Sequence, residues 1–309
     1  MFSKLHLLLI TLTLLSYPIH AQVIKGKVVD SKTNLGISFA NVYNPNTNVG
    51  IHTDEEGLFY WSVQKQNDSV AVSCVGFKTK ILSSKNFKKD TTNLIFLEEL
   101  NIELGEITFK AKKNKKGQDV ELGYYHTKQY GHSKWRPGGI SKLQMYVVHI
   151  PNNEGIDGFL KNVQYDIDGF RNLTERPKAR IRVQKVDPIT GLPSTDLLTE
   201  NLMINFSRFS NNLEIDISKY QIPFSKEGVF VGLEIFCHSE WRLDKNNVSQ
   251  EKSNCPYIPS TRIDSEKDSG KSYYWTFQNG KWRWNCITDG SIFQKGLMYK
   301  FGVTVTAFE

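Results

Sequence analysis

Few residues in this 309-residue chain are equipped for chemistry. Five histidines follow residue 21: His52, His126, His132, His149 and His238. His126 and His132 share a Tyr- and Gly-rich stretch and could hold one metal only if that loop folded back on itself. No histidine pair has a metalloprotease spacing, and none stands beside a cysteine at a structural-zinc spacing. The two therefore read as solvent-facing loop residues. Asp166 and Asp168 alternate along one strand, a placement that a two-carboxylate glycosidase could use and that ordinary solvated strands also show. There is no Gly-x-Ser-x-Gly elbow, no phosphate-binding Gly-rich loop and no EF-hand spacing. The expectation is a protein without catalytic residues, metal or cofactor.

Aromatic residues make the stronger pattern. In Ser272 to Asn285, Asn279-Gly280 separates two apolar-rich runs, the signal of a two-residue type I′ hairpin. That loop sets Gln278 opposite Lys281, Phe277 opposite Trp282 and Trp275 opposite Trp284, so four large aromatics share one face. Flat rings can stack on sugars, but they also carry the largest apolar surface to bury, and the core reading comes first. Upstream, Asp244 to Gly270 reads as a long polar loop, and loops of that length tend to be functional or disordered. A disulfide among Cys237, Cys255 and Cys286 would order it beside the hairpin, and the sequence leaves the pair open. Trp241, Tyr257, Trp275, Trp282 and Trp284 are the candidate ligand contacts. Cys74 lies in an apolar run and reads as a buried thiol.

The elements that must position these residues are strands. Short runs of Val, Ile, Phe and Tyr alternate with turns of Gly, Asn, Asp and Pro, and helical periodicity is nearly missing. The expected class is all-β. Residues 1–21 combine Lys4, an apolar run from Leu7 to Leu15 and Ala21 before Gln22, which reads as a cleavable secretory signal too short to span a bilayer. Removing it takes away Lys4 alone, so the formal charge falls from +7 to +6. The remaining basic residues are scattered apart from Lys112 to Lys116, which argues for a solvated surface and against a nucleic-acid partner. That basic run marks residues 111–120 as a charged linker between a first domain at 22–110 and a second at 121–309. About nine strands in the second domain fit a jelly-roll-like sandwich, with one long last strand from Leu297 to Phe308.

Four groups of residues in the first domain carry a family likeness. Ile24-Lys25-Gly26-Lys27-Val28-Val29-Asp30 comes first, followed by Gly36 with Ala40-Asn41-Val42. Thr53-Asp54-Glu55-Glu56-Gly57-Leu58-Phe59 and Cys74-Val75-Gly76-Phe77-Lys78 complete the series. In this order they resemble the carboxypeptidase regulatory-like domain, which is similar to transthyretin in fold and resembles the leading domain of TonB-dependent outer-membrane receptors. The resemblance implies an immunoglobulin- or transthyretin-like sandwich and a bacterial envelope setting. Fold alone does not specify activity. The functional expectation is an exported, non-catalytic accessory protein of the periplasm, outer membrane or cell surface that engages a protein or glycan partner, without a transmembrane segment. A carbohydrate-binding module and a hydrolase with an unrecognised site are the alternatives.

Overall fold

A computed structural model describes residues 22–47, 50–63, 69–100, 117–126, 133–135, 144–167, 177–206, 212–236, 239–243, 249–253, 258–262, 271–278, 281–286 and 297–308. The signal segment, the run from Lys112 to Lys116, His132, Asp168, His238 and the Asn279-Gly280 turn lie outside the described residues. The described part is an all-β sandwich architecture, with two single-turn 3-10 helices at Ser84–Asn86 and Ser218–Tyr220. No helix among the described residues is long and apolar enough to cross a membrane.

Strands up to residue 97 are β1 (Gln22–Asp30), β2 (Asn41–Tyr43), β3 (Gly50–His52), β4 (Leu58–Val63), β5 (Ser69–Ser73), β6 (Lys80–Ser83) and β7 (Asn93–Leu97). They form a three-stranded sheet in the order β4-β1-β7 and a four-stranded sheet in the order β3-β2-β5-β6. β1 runs antiparallel to β4 and parallel to β7. The pleat explains the division of labour. Ile24, Val28, Phe59, Trp61, Ile95 and Leu97 point inward to meet Val42, Val70 and Val72 of the facing sheet.

The turn before β4 shows how sequence fixes this geometry locally. The Asp54 carboxylate accepts hydrogen bonds from the backbone N–H of Glu56 at 3.1 Å and of Leu58 at 2.7 Å. Gly57 takes φ +81°, and a Cβ there would sit 2.5 Å from the Val28 carbonyl oxygen. Gly57→Ala is therefore expected to destabilise the mature protein by about 2 kcal/mol or more. Urea denaturation measures it, and an unchanged midpoint would refute the strain.

From residue 118 onward the strands are β8 (Gln118–Gly123), β9 (Ser133–Trp135), β10 (Gln144–Ile150), β11 (Gly158–Asp166), β12 (Lys178–Val186) and β13 (Pro193–Asp196). They continue with β14 (Met203–Asn205), β15 (Asn212–Asp216), β16 (Val229–Phe236), β17 (Ser239–Leu243), β18 (Ser249–Ser253) and β19 (Ile258–Arg262). The last are β20 (Ser272–Gln278), β21 (Lys281–Cys286), β22 (Leu297–Tyr299) and β23 (Phe301–Ala307). A seven-stranded sheet, β13-β12-β16-β10-β20-β21 with β14 also on β12, faces a four-stranded sheet, β15-β11-β23-β8. Ile181, Val231 and Leu233 from the first meet Leu160, Val163, Val303 and Val305 from the second. The Tyr165 hydroxyl crosses this core to donate to the Gly232 carbonyl at 3.0 Å, which satisfies the one polar atom of a fully buried ring.

Two expectations need correction. The stretch from Asp244 to Gly270 contains β18 and β19, so it is not one long loop. β18 is the polar run Ser-Gln-Glu-Lys-Ser and shows no apolar alternation, because its order comes from pairing with β17. The single last strand is also two: β22 pairs with β19 while β23 pairs with β11 and β8. The chain changes sheets at Lys300, whose ammonium forms an ion pair with Asp166.

Candidate functional site

The best-defined polar constellation lies where the first sandwich meets the outer face of the seven-stranded sheet. β12 alternates strictly. Ala179, Ile181 and Val183 enter the core, so Arg180, Arg182 and Gln184 must project from the other side. β16 does the same around Leu233 and Ile235, which turns Glu234 outward, directly opposite Arg180 in the ladder. These charged groups are nevertheless buried, Arg180 at 0 % and Glu234 at 2 % exposure, because the first sandwich covers them.

Burial of charge is tolerated only with full pairing, and the pairing here is dense. One Glu234 oxygen accepts from Arg180 Nη1 and from Arg182 Nη1, each at 2.8 Å. Arg182 Nε donates to Asp196 Oδ1 at 2.8 Å, and Arg180 Nε donates to Asn201 Oδ1 at 2.6 Å. The remaining contacts cross to the first sandwich. Arg180 Nη2 donates to the Phe39 carbonyl, Asn201 Nδ2 donates to the Ser38 carbonyl at 3.0 Å, and Lys178 pairs with Glu55. Phe39 sits at φ 55°, a conformation rare for a bulky side chain. Its ring packs 5.0 Å from that of Phe236, over which Arg180 stacks at 5.1 Å.

The electrostatics follow from this packing. Burial alone would raise the Glu234 carboxyl, but the two guanidiniums overcome it and hold it at about 2. Burial pulls the Arg182 guanidinium down, and Asp196 with Glu234 more than offset that, so it remains charged. His52, whose ring meets Phe236 edge-on at 4.5 Å, is driven down to about 4 by burial, with Arg180 adding to the effect and Glu234 opposing it. Its Nδ1 is sealed from water and has no hydrogen-bond partner among the described residues.

Cys74-Val75-Gly76-Phe77-Lys78 supplies the rest of the contact. Val75 is part of the larger sandwich's core cluster, while Cys74 stays in the smaller one. Gly76 lies at φ +83° so close to the second sandwich that a Cβ would be 2.2 Å from the Thr199 carbonyl oxygen. A crevice of about 220 Å³ remains beside it, bounded by Asn41, Cys74 and Leu100 on one side and Arg182, Thr195 and Asp196 on the other. Cys74 is a buried free thiol, as its apolar run implies, and burial raises its ionisation further from neutrality. Two arginines against two carboxylates, each satisfied, make a clamp and leave little reactive capacity.

The residues singled out from sequence fall elsewhere. The hairpin register is the one the Asn-Gly spacing predicts: Gln278 opposite Lys281, Phe277 opposite Trp282, Trp275 opposite Trp284. The hairpin extends the large sheet, with Trp275 also opposite Met145 of β10. Trp241 stands opposite Glu251 in the separate β17–β18 pair, so the register does not join it to the other tryptophans. The side chains of these four tryptophans, together with Tyr257, Cys237 and Cys255, lie outside the described residues. Cys286 is placed by backbone only, opposite Tyr273. His126 rests 3.2 Å from Glu121, and Asp166 is engaged by Lys300. Among the described residues no three His, Cys, Asp or Glu side chains gather as a metal-holding group.

Sequence reasoning missed the clamp. Its trace was present as Arg180 and Arg182 alternating with apolar residues and as Glu234 alone in an otherwise apolar strand, a carboxylate that burial obliges to find a cation. A search of curated proteins finds no match to this chain. A comparison with protein families does: residues 24–109 match the family described as the CarboxypepD_reg-like domain, the assignment that the four groups of residues in the first sandwich imply.

Proposed function

We propose that this chain is an exported accessory protein of the bacterial envelope or cell surface, non-catalytic, that engages a protein or glycan partner. The observation that carries the reading is the mounting of the first domain. CarboxypepD_reg-like domains are β-sandwich domains of envelope proteins. Here that domain inserts Val75 into the neighbouring core and ties its Ser38 and Phe39 carbonyls to Asn201 and Arg180. Such a joint supports a rigid two-sandwich body that presents its outer surfaces in fixed relation, which suits binding by lowering the entropy lost on association.

Export is supported by the charged, apolar and small-residue succession of residues 1–21. Expression of the full chain in a Gram-negative host should yield extracytoplasmic protein whose mass corresponds to a start at Gln22. A glycan array probed with that mature protein, alongside binding to isolated envelopes, should give saturable binding to one of the two. Retention in the cytoplasm with residue 1 intact would overturn the export reading, and hydrolysis of an arrayed glycan would overturn the non-catalytic one.

A further inference from the structure

The β4-β1-β7 sheet has an outer face that is open over most of its length and closed at Val29, which bridges to Gly36. The sandwich contacts its neighbour through Ser38, Phe39, Glu55 and Gly76 in the connections between its strands, with Asn41 and Ser73 of the four-stranded sheet lining the junction crevice. The outward side chains of the β4-β1-β7 sheet take no part in these contacts. Strand alternation brings Val23, Lys25 and Lys27 of β1, Tyr60 of β4, and Leu94 and Phe96 of β7 to this outer side. The apolar members are well exposed: Tyr60 60 %, Leu94 58 %, Val23 56 % and Phe96 38 %.

Exposed apolar side chains grouped on one face mark an interaction surface. Lys25 and Lys27 occupy its middle strand and form no ion pair among the described residues, and no described outward position on the face is acidic. Lys25 Nζ lies 5.4 Å above the Tyr60 ring, so the face pairs an aromatic with a cation at its centre. An occupant must offer anionic groups beside apolar depth over a nearly flat area. A second copy docked face to face would set the lysines of one molecule against those of the other.

We propose that this face docks on an anionic phospholipid surface, with the Lys25 and Lys27 ammonium groups at the headgroup phosphates and the Tyr60, Leu94 and Phe96 side chains at the acyl boundary. Lysine stems lie along apolar surface while their heads reach charge, and interfacial aromatics seat at the same depth. Each lysine near an anionic surface strengthens the attraction, which salt then screens.

Flotation of the mature chain with mixed phosphatidylethanolamine and phosphatidylglycerol vesicles, against pure phosphatidylcholine vesicles, tests this directly. Partition to the anionic vesicles should exceed that to the neutral ones by about tenfold and fall as salt is added. Lys25→Glu with Lys27→Glu should abolish the difference, and Tyr60→Ser with Phe96→Ser should weaken binding at every salt concentration. Thermal melting confirms that each exposed variant folds, and Lys25→Gln with Lys27→Gln serves as the milder pair. Equal partition to both vesicles, or variants that float like the parent, would overturn the proposal. So would sedimentation showing that the same substitutions abolish self-association while leaving vesicle binding intact.

Discussion

Glu234→Gln should destabilise the mature protein by about 3–5 kcal/mol, the range for breaking one side of a buried ion pair. The substitution keeps the shape of the side chain, so no cavity contributes. What changes is charge: Arg180 and Arg182 both donate to one Glu234 oxygen, and a neutral amide would leave the two guanidiniums facing each other under the first sandwich. Arg182 retains Asp196, but the Arg180 Nη1 loses its only carboxylate among the described residues. Urea denaturation of parent and variant measures the loss, and a difference below about 1 kcal/mol would show that the cluster tolerates an unbalanced charge. Limited proteolysis adds a second readout. Because Arg180 also holds the Phe39 carbonyl, loosening it should expose the contact between the sandwiches before either core melts.

The contrast between what could be read and what could not has a physical origin. Strand positions were legible where short runs of branched and aromatic residues are bounded by turn residues, as in β1, β7, β16 and the β20–β21 hairpin, whose register follows from a two-residue Asn-Gly loop. The Asp54-to-Gly57 turn was legible for the same reason: its chemistry is local. β18 was not, since its polar residues carry no periodic signal and its order is lent by β17. The joint between the sandwiches was illegible in a deeper sense. Arg180 and Glu234 are 54 residues apart, and Arg180 reaches the Phe39 carbonyl across 141. Alternation predicts that Arg180 leaves the core side of β12. It does not reveal that a second domain waits there to bury it. The family likeness located the Cys74-to-Lys78 motif without indicating its use here, where Val75 fills a neighbour's core and Gly76 permits the approach to Thr199.

The same burial makes stability depend on acidity, in a direction fixed by His52. Its pKa is about 4 in the folded protein and near 6.5 when the chain is unfolded. Between these values the unfolded chain binds the proton that the folded one refuses, so stability must fall as pH falls. The contribution is fully present above about pH 6.5, declines through the interval and levels off below about pH 4, with a ceiling of about 3 kcal/mol. Protonation is resisted because burial would strip the imidazolium of water, with Nδ1 enclosed and without an acceptor; Arg180 adds to the cost and Glu234 opposes it. Glu234 acts next. Its carboxyl, held at about 2 against an ordinary 4.5, gives up its stabilisation as pH drops from about 4.5 toward 2. His52→Asn separates the two. In urea titrations at pH 7, 6, 5, 4 and 3, the variant should lack the loss between pH 6.5 and 4 that the parent shows, and should keep the later loss due to Glu234. The difference between the curves cancels the other histidines, so parallel slopes through that interval would exclude His52 as the titrating group. A divergence confined to it would assign the loss of stability in mild acid to His52, at the joint between the sandwiches.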